Sequence, residues 1–438
     1  MNSAFDIIVV GAGPAGLAAA TASALKGKRV ALLDENPHAG GQIWRAGVGE
    51  TQPNGARARA IASFQASGAA MFAGRQVVDA GAAGDLKVWV DTNQALETFT
   101  FNQLIIATGA RERFLPFPGW TIPGVFGAGG LQSLVRGGYD VRGKRVVVAG
   151  TGPLLLAVAA HLKQDGAKIV SINEQAPMSR LLKFGFGLLR HPEKLTQAAG
   201  IRAALAGVSY RTSSWAVEAE GRDKVTGVRL SDGSRTWTER CDLLACGFHL
   251  VPNIELAALL GCNINEGVVQ VDSNQQTSLE NIYSAGEPTG VAGVEAAMVQ
   301  GKIAGLAAAE SAREAAWLYR RRDSQVAFGH AMGRAFALRN ELLNLAKPET
   351  VVCRCEDVRF AQLQTHATPG SWTHAKLQTR CGMGPCQGRV CGPALEAMFG
   401  WRNASIRPPL FPIPVAAMCS APAQADETAS HNPMETLQ

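Results

Sequence analysis

The feature that most constrains this chain lies in its first sixteen residues. Asp6-Ile7-Ile8-Val9-Val10 is a short apolar, β-branched run of the kind that forms a buried strand. It leads directly into Gly11-Ala12-Gly13-Pro14-Ala15-Gly16 and then an alanine-rich helical stretch. In such a turn Gly11 permits the sharp strand-to-helix reversal, and Gly13 lets the backbone approach a pyrophosphate. Gly16 lets helix and strand pack closely, while the helix N-terminus supplies amide groups and positive dipole. The second strand, Val30-Ala31-Leu32-Leu33, ends in Asp34-Glu35, at the spacing of an acid that binds ribose hydroxyls. Glu35 is the stronger candidate of the two, because it lies five residues before Gly40-Gly41.

At 438 residues the chain exceeds one ordinary core, so two or three domains are expected. A second strand–turn–helix unit begins at Arg145-Val146-Val147-Val148-Ala149, with the turn Gly150-Thr151-Gly152-Pro153-Leu154-Leu155. Strands alternating with helices indicate parallel sheets covered on both faces, an α/β fold with two Rossmann-like dinucleotide-binding domains. The expected divisions are a discontinuous dinucleotide domain over 1–112 and 253–312 and a second nucleotide-binding-like domain over 113–252. A helical connector over 313–346, a cysteine-rich domain over 347–415 and a disordered tail over 416–438 follow. In the second turn Leu155 replaces the third glycine, which would hold helix and strand apart. Glu174 after the next strand is where an acid would favour NAD over NADP. An NAD site, another nucleotide and an empty structural domain all remain open there.

Lys and Arg total 42 against 36 Asp and Glu, and they are dispersed; Arg320-Arg321-Arg322 reads as a solvated helix face. No nucleic-acid partner is expected. No run reaches the length needed to span a bilayer, and the first strand leaves no room for a cleavable signal peptide. A cytoplasmic, reducing location follows, with peripheral membrane contact through a complex left open. There, nine cysteines are not expected to form disulfides. Cys241, Cys246 and Cys262 sit among apolar residues, and no Cys-x-x-Cys pair occurs, so the redox dithiol of a disulfide reductase is missing. His191, His249 and His330 are isolated, and no residue is identified as catalytic.

The remaining cysteines crowd together, as Cys353-Arg354-Cys355 and then Cys381-Gly382-Met383-Gly384-Pro385-Cys386-Gln387-Gly388-Arg389-Val390-Cys391. Soft thiolates at this density suit zinc or an iron–sulfur cluster. Cys-x-Cys puts two sulfurs on one turn, and Gly382, Gly384 and Gly388 would let the later loop fold around an inorganic core.

Three further stretches carry resemblances. Leu104-Ile105-Ile106-Ala107-Thr108-Gly109-Ala110 resembles the strand-end motif of two-dinucleotide-domain flavoproteins, which implies that Ala107, Thr108 and Gly109 pass near FAD. Ile282-Tyr283-Ser284-Ala285-Gly286-Glu287 resembles their last FAD motif, in which an acid bonds the ribityl chain. Most such proteins have Asp there, so Glu287 departs by one methylene. Gly40-Gly41-Gln42 resembles the segment that approaches the flavin ring in the thioredoxin-reductase-like class. The cysteine array resembles the bacterioferritin-associated-ferredoxin-like (BFD-like) [2Fe–2S] domain, especially the Cys-Gln-Gly-x-x-Cys form found in some glycerol-3-phosphate dehydrogenases. On that pattern the ligands are Cys353, Cys355, Cys386 and Cys391. Cys381 is an extra thiol, Cys381 with Cys386 is an alternative pair, and a structural zinc is the rival for the same residues.

Taken whole, residues 5–415 resemble the FAD-containing alpha subunit of bacterial multi-subunit amino-acid and imino-acid dehydrogenases. That group covers opine oxidases, D-hydroxyproline dehydrogenase, proline dehydrogenase complexes and hydrogen cyanide synthase. The stretches that carry it are Leu33-Asp34-Glu35-Asn36-Pro37, Gly40-Gly41-Gln42-Ile43-Trp44-Arg45, Ala107 to Arg113 and the cysteine motif. The resemblance implies FAD and [2Fe–2S] as cofactors, with a second nucleotide left open, and electron transfer as the role. Implied partners are a catalytic beta flavoprotein subunit that oxidises the substrate, an optional small third subunit, and a quinone or other electron acceptor. Two other readings remain: a self-contained NAD(P)H-dependent flavin reductase, and a non-enzymatic, metal-stabilised assembly subunit.

Overall fold

The computed structural model describes residues 4–48, 55–81, 84–91, 94–189, 192–367, 370–403, 406–419 and 423–424. The chain divides into two compact units. One comprises Met1–Arg111, Val251–Gly329 and Ser405–Gln438; the other comprises Glu112–Leu250 and His330–Ala404.

In the first unit the strands Ala70–Ala73, Val30–Asp34, Ala4–Val10 and Ala95–Ile106 lie side by side in that order, all parallel. Alternation along them separates two cores. Ile8, Val10, Ala31, Leu33, Leu104 and Ile106 face one side, whereas Ile7, Val9, Val30, Leu32 and Ile105 face the other. Ala95–Ile106 joins the two arms of one mixed sheet: its first half pairs antiparallel with Asp85–Val90, its second half parallel with Ile282–Ser284. That long strand is what ties the late FAD-type motif to the early glycine turn. Helix Val294–Ala308 packs directly on helix Pro14–Ala24 because it presents glycines. A Cβ at Gly301 would overlap the carbonyl oxygen of Ala15, and one at Gly305 that of Ala19.

Where an unstructured tail from 416 is expected, the chain instead returns to this unit. Leu410 N donates to Val78 O at 2.7 Å, Val415–Cys419 is helical, and Ala423–Gln424 pairs with Glu97–Thr98. Ala417, buried against Val78 and Trp89, is the reason the segment stays down. Residues 420–422 and 425–438 lie outside the described residues.

The second unit is built on a parallel sheet in the order Ser209–Arg211, Lys168–Glu174, Arg145–Thr151, Leu243–Phe248, Val125–Gly127. An antiparallel sheet of Trp215–Gly221, Val225–Ser231 and Thr236–Arg240 stands beside it. The cysteine-rich region belongs to this unit. It has its own small core of Val352, Leu363, Trp372, Ala375, Leu395 and Trp401, and it is anchored by Trp120, whose indole donates to Val351 O at 2.6 Å. The expected connector is mostly the helix Ala316–Ala335. Among the described residues no helix is long and apolar enough to cross a membrane.

Candidate functional site

Four separated motifs of the first unit meet at the carboxyl end of strand Ala4–Val10. Gly11 turns there with φ +104°, and a Cβ on it would overlap Ala107 O, so the Ala107-Thr108-Gly109 bend is seated against the glycine turn. Gly40 N donates to Ala12 O at 2.8 Å, and a Cβ at Gly41 would lie 3.0 Å from Gly13 Cα. A Cβ at Gly286 would come within 2.8 Å of Ala15 Cβ, and Gly286 N donates to Gln300 Oε1 at 3.0 Å. The bend at 108–109 is pinned by Asn253. Its Nδ2 donates to Thr108 O at 2.9 Å, its N to Gly109 O at 2.9 Å, and its O accepts from Thr108 Oγ1 at 2.7 Å. No sequence pattern singles out Asn253 or Gln300, because each acts on a motif far away in the chain.

The polar groups divide into those spent on the scaffold and those left facing out. Asp34 is buried, and its carboxylate accepts from Ala12 N at 2.6 Å and from Asn36 N at 2.7 Å. Glu35 is exposed and accepts from Gln76 Nε2 at 2.9 Å. Arg45 donates to Asn36 Oδ1 at 3.1 Å, and Gln42 is exposed beside it. Helix Pro14–Ala24 has no side-chain cap and no acid in its first turn, and nothing lies within 4 Å of a Cβ built on Gly13. Its first amides therefore face open space, a site for an anion. Glu287 stands behind Gly109, with Oε2 3.9 Å from the position of a Cβ there. Burial raises its pKa, against the lowering effect of a hydrogen bond from the Ala110 amide. An uncapped helix, an open glycine, an outward acid and a close-packed second glycine pair fit a bound dinucleotide.

The second unit repeats the turn with different chemistry. A Cβ on Gly150 would overlap Gly247 O. Leu155, in the third-glycine position, does not force helix from strand: it is buried over Gly247, where even a methyl would lie 3.0 Å from Leu155 Cδ2. The missing glycine has in effect moved to the neighbouring strand. Glu174 is not a ribose-facing acid. It is buried, accepting from Gly152 N at 2.7 Å, Ala176 N at 2.8 Å and Thr151 Oγ1 at 2.9 Å, and burial pushes its pKa up to about 7. Burial pushes Cys241 up to about 12 and raises Cys246 as well, so both are inert thiols. His249 is held by Phe336 O at 2.7 Å and depressed by burial; His330 is exposed, and His191 lies outside the described residues.

In the cysteine-rich region Cys353, Cys355, Cys386 and Cys391 line one cavity of about 310 Å³, together with Trp120, Arg354 and Val390. Cys381 is not on that lining, yet it is close to two of the four: the sulfurs of Cys353, Cys381 and Cys391 all lie within 4.8 Å of one another. Cys381 and Cys391 donate to the Cys353 sulfur, which holds Cys353 at about 2 as a thiolate. Cys355 and Cys386 form the other contact pair. The glycines pack the loop itself. A Cβ at Gly384 would overlap Cys355 Cβ, and one at Gly382 or Gly388 would come within 2.8 Å of the Trp372 ring. Arg380 Nε to Glu356 Oε2 at 2.8 Å joins the two cysteine loops. A thiolate-rich donor set around one cavity fits a soft-metal centre.

This fold and site define a class. Residues 5–316 match the pyridine nucleotide-disulphide oxidoreductase family, and the chain belongs to it. Membership implies FAD and makes the chain a flavin-dependent oxidoreductase. Within that class the chain is similar to hydrogen cyanide synthase subunit HcnB of Pseudomonas protegens, 31% identical over 97% of this chain and 99% of the relative. It is also similar to an opine oxidase subunit of Agrobacterium tumefaciens, 31% identical over 93% of this chain and 88% of the relative. The fold is shared with L-proline dehydrogenase from P. horikoshii, with a TM-score of 0.64 and 18% identity over 95% of this chain and 79% of that one.

Proposed function

We propose that the chain is the FAD- and [2Fe–2S]-containing electron-transfer subunit of a hetero-oligomeric cytoplasmic dehydrogenase. Its substrate is an amino or imino acid of the opine, D-hydroxyproline or proline type, oxidised mainly on a partner beta flavoprotein. Electrons leave to a quinone or a similar acceptor. The observation that carries this reading is the convergence of Cys353, Cys355, Cys386 and Cys391 on one cavity in a flavoprotein chain that has no Cys-x-x-Cys pair. Two full-length relatives named as subunits of hydrogen cyanide synthase and opine oxidase support it.

Bound FAD supplies two-electron chemistry and a [2Fe–2S] centre single-electron steps. The chain's residues bind and orient. The amides of Gly13, Ala15 and Gly16 receive the pyrophosphate, Glu35 takes the ribose hydroxyls, and Asp34 stiffens the turn beneath them. Glu287 meets the ribityl chain, and Gly41, Gln42 and Arg45 border the ring. Cys353, Cys355, Cys386 and Cys391 are the metal ligands, with Cys381 a thiol that hydrogen-bonds the set from behind.

Tagged protein purified from its native host tests both halves. The expected preparation contains flavin, two irons and about two sulfides per chain, a rhombic paramagnetic signal on reduction, and a second flavoprotein. Zinc without sulfide would overturn the cluster assignment. A solitary chain that turns over an amino acid by itself would overturn its place in a larger complex.

A further inference from the structure

The second glycine turn differs from the first in what lies across its mouth. In a doubly wound sheet the ligand crevice is outside the carboxyl ends of the central strands. In the second unit one backbone carbonyl, Phe336 O, reaches the ends of three neighbouring strands. It accepts from Gln175 Nε2 at 3.3 Å and from His249 Nε2 at 2.7 Å, and it lies 3.1 Å from Thr151 Oγ1, whose single proton is shared between it and Glu174 Oε1. Thr151 ends the strand Arg145–Thr151, Gln175 follows Lys168–Glu174, and His249 follows Leu243–Phe248.

Gln175 is the counterpart of Glu35, the first residue past the second strand of each turn. Glu35 is exposed; Gln175 is 0% exposed. Its amide is fully committed. Nε2 also donates to Thr151 Oγ1 at 2.9 Å and Ala337 O at 3.2 Å, and Oε1 accepts from Arg339 N at 3.1 Å. Arg339 Nη1 returns to Gln175 O at 3.4 Å. On the outer side Phe336 is buried with Ala176 and Ala335 and flanked by Leu181, Phe184 and Met332. Gly152 keeps open space above it, but its amide is taken by Glu174. A dinucleotide would have to seat its adenosine ribose where these four residues lie. It would break the hydrogen bonds that join Phe336, Ala337 and Arg339 to Gln175 and His249, and it would strand the buried Gln175 amide without partners.

We propose that Phe336–Arg339 is an intramolecular strap that fills the ribose subsite of the second nucleotide domain, so that this unit excludes NADH, NADPH and ADP. Gln175 and Thr151 are its specificity-determining residues. The inference goes beyond the electron-transfer reading and does not depend on it, since it rests on the second unit alone. It also removes the self-contained NAD(P)H-dependent flavin reductase.

Hydrogen exchange on the full, flavin-loaded chain tests it. In the wild type, 1 mM NADH, NADPH or ADP is expected to leave the exchange of 150–156 and 336–339 unchanged, and anaerobic NADH to leave the flavin absorbance unbleached. Saturable protection of 150–156 by any of the three, or rapid bleaching, overturns the proposal. In Gln175→Ala with Phe336→Gly, exchange in both segments should rise at least tenfold while flavin absorbance is retained. Faster exchange at 336–339 with 150–156 unmoved would show that the strap does not cover the turn. The wild-type measurement stands whether or not the variant folds.

Discussion

Glu174 is a carboxyl group whose surroundings favour its protonated form. The fold raises its pKa to about 7, burial being the larger influence and the hydrogen bonds donated to it the smaller, opposing one. Between the unfolded value near 4.5 and about 7, the folded chain holds a proton that the unfolded chain releases. Stability contributed by this group is therefore present below about 4.5 and is lost as pH rises through about 7. The full swing is on the order of 3 kcal/mol. Denaturant midpoints measured from pH 5 to pH 8 should fall more steeply in the wild type than in Glu174→Gln; equal slopes would refute the assignment. Glu174→Gln should also be the less stable protein at pH 5, because its amide turns a donor toward the Gly152 or Ala176 N–H.

The cysteines give a second test at this scale. Cys386 lines the cavity and Cys381 does not. Cys386→Ser should lose most of the iron and sulfide with flavin content unchanged, while Cys381→Ser should keep more than half. The reverse order, read by metal analysis, would place Cys381 in the ligand set.

Among the elements, the contact between Pro14–Ala24 and Val294–Ala308 leaves no room for one added methyl at Gly301 or Gly305. Gly→Ala inside a helix ordinarily stabilises by about 0.5–1 kcal/mol. Gly301→Ala should instead cost on the order of 3 kcal/mol and lower flavin retention, since the methyl meets Ala15 backbone with nowhere to go. Gly333→Ala, in open space on helix Ala316–Ala335, should follow the ordinary rule. Thermal melts with flavin fluorescence would separate the two. This pairing also marks what a sequence can and cannot say. The strand–turn–helix starts at Asp6 and Arg145 are legible because their signal is local: β-branched runs, glycines at fixed offsets and an acid after the next strand. The fit of Leu155 into Gly247 is not, because it depends on which strands become neighbours. Glu174 and Glu35 look alike in sequence. Their place in the strand separates them: Glu174 ends its strand and folds back into the turn, as Asp34 does, so Gln175 is the true counterpart of Glu35. The strap is hidden for the same reason: Phe336–Arg339 is an unpatterned stretch after a charged helix.

On the scale of the whole molecule, the first unit is one body made from three separate lengths of chain, 1–111, 251–329 and 405–438. A chain ending at residue 293 holds Gly11 to Gly16 but lacks the helix Val294–Ala308 that covers Ala15 and Ala19. Such a fragment should bind no flavin and should be cut rapidly by protease within residues 4–48, and a fragment that retains FAD would contradict this.

The broken path of that unit sets a timetable for its birth. Ribosomes deliver about 5–20 residues per second, so the helix that closes over the first turn emerges about 15–60 s after the turn itself. Throughout that interval the nascent amino terminus carries an apolar strand with no lid, and the flavin has no finished cradle to enter. Holding chaperones therefore act during that interval, and flavin loading follows once residue 308 has cleared the exit tunnel.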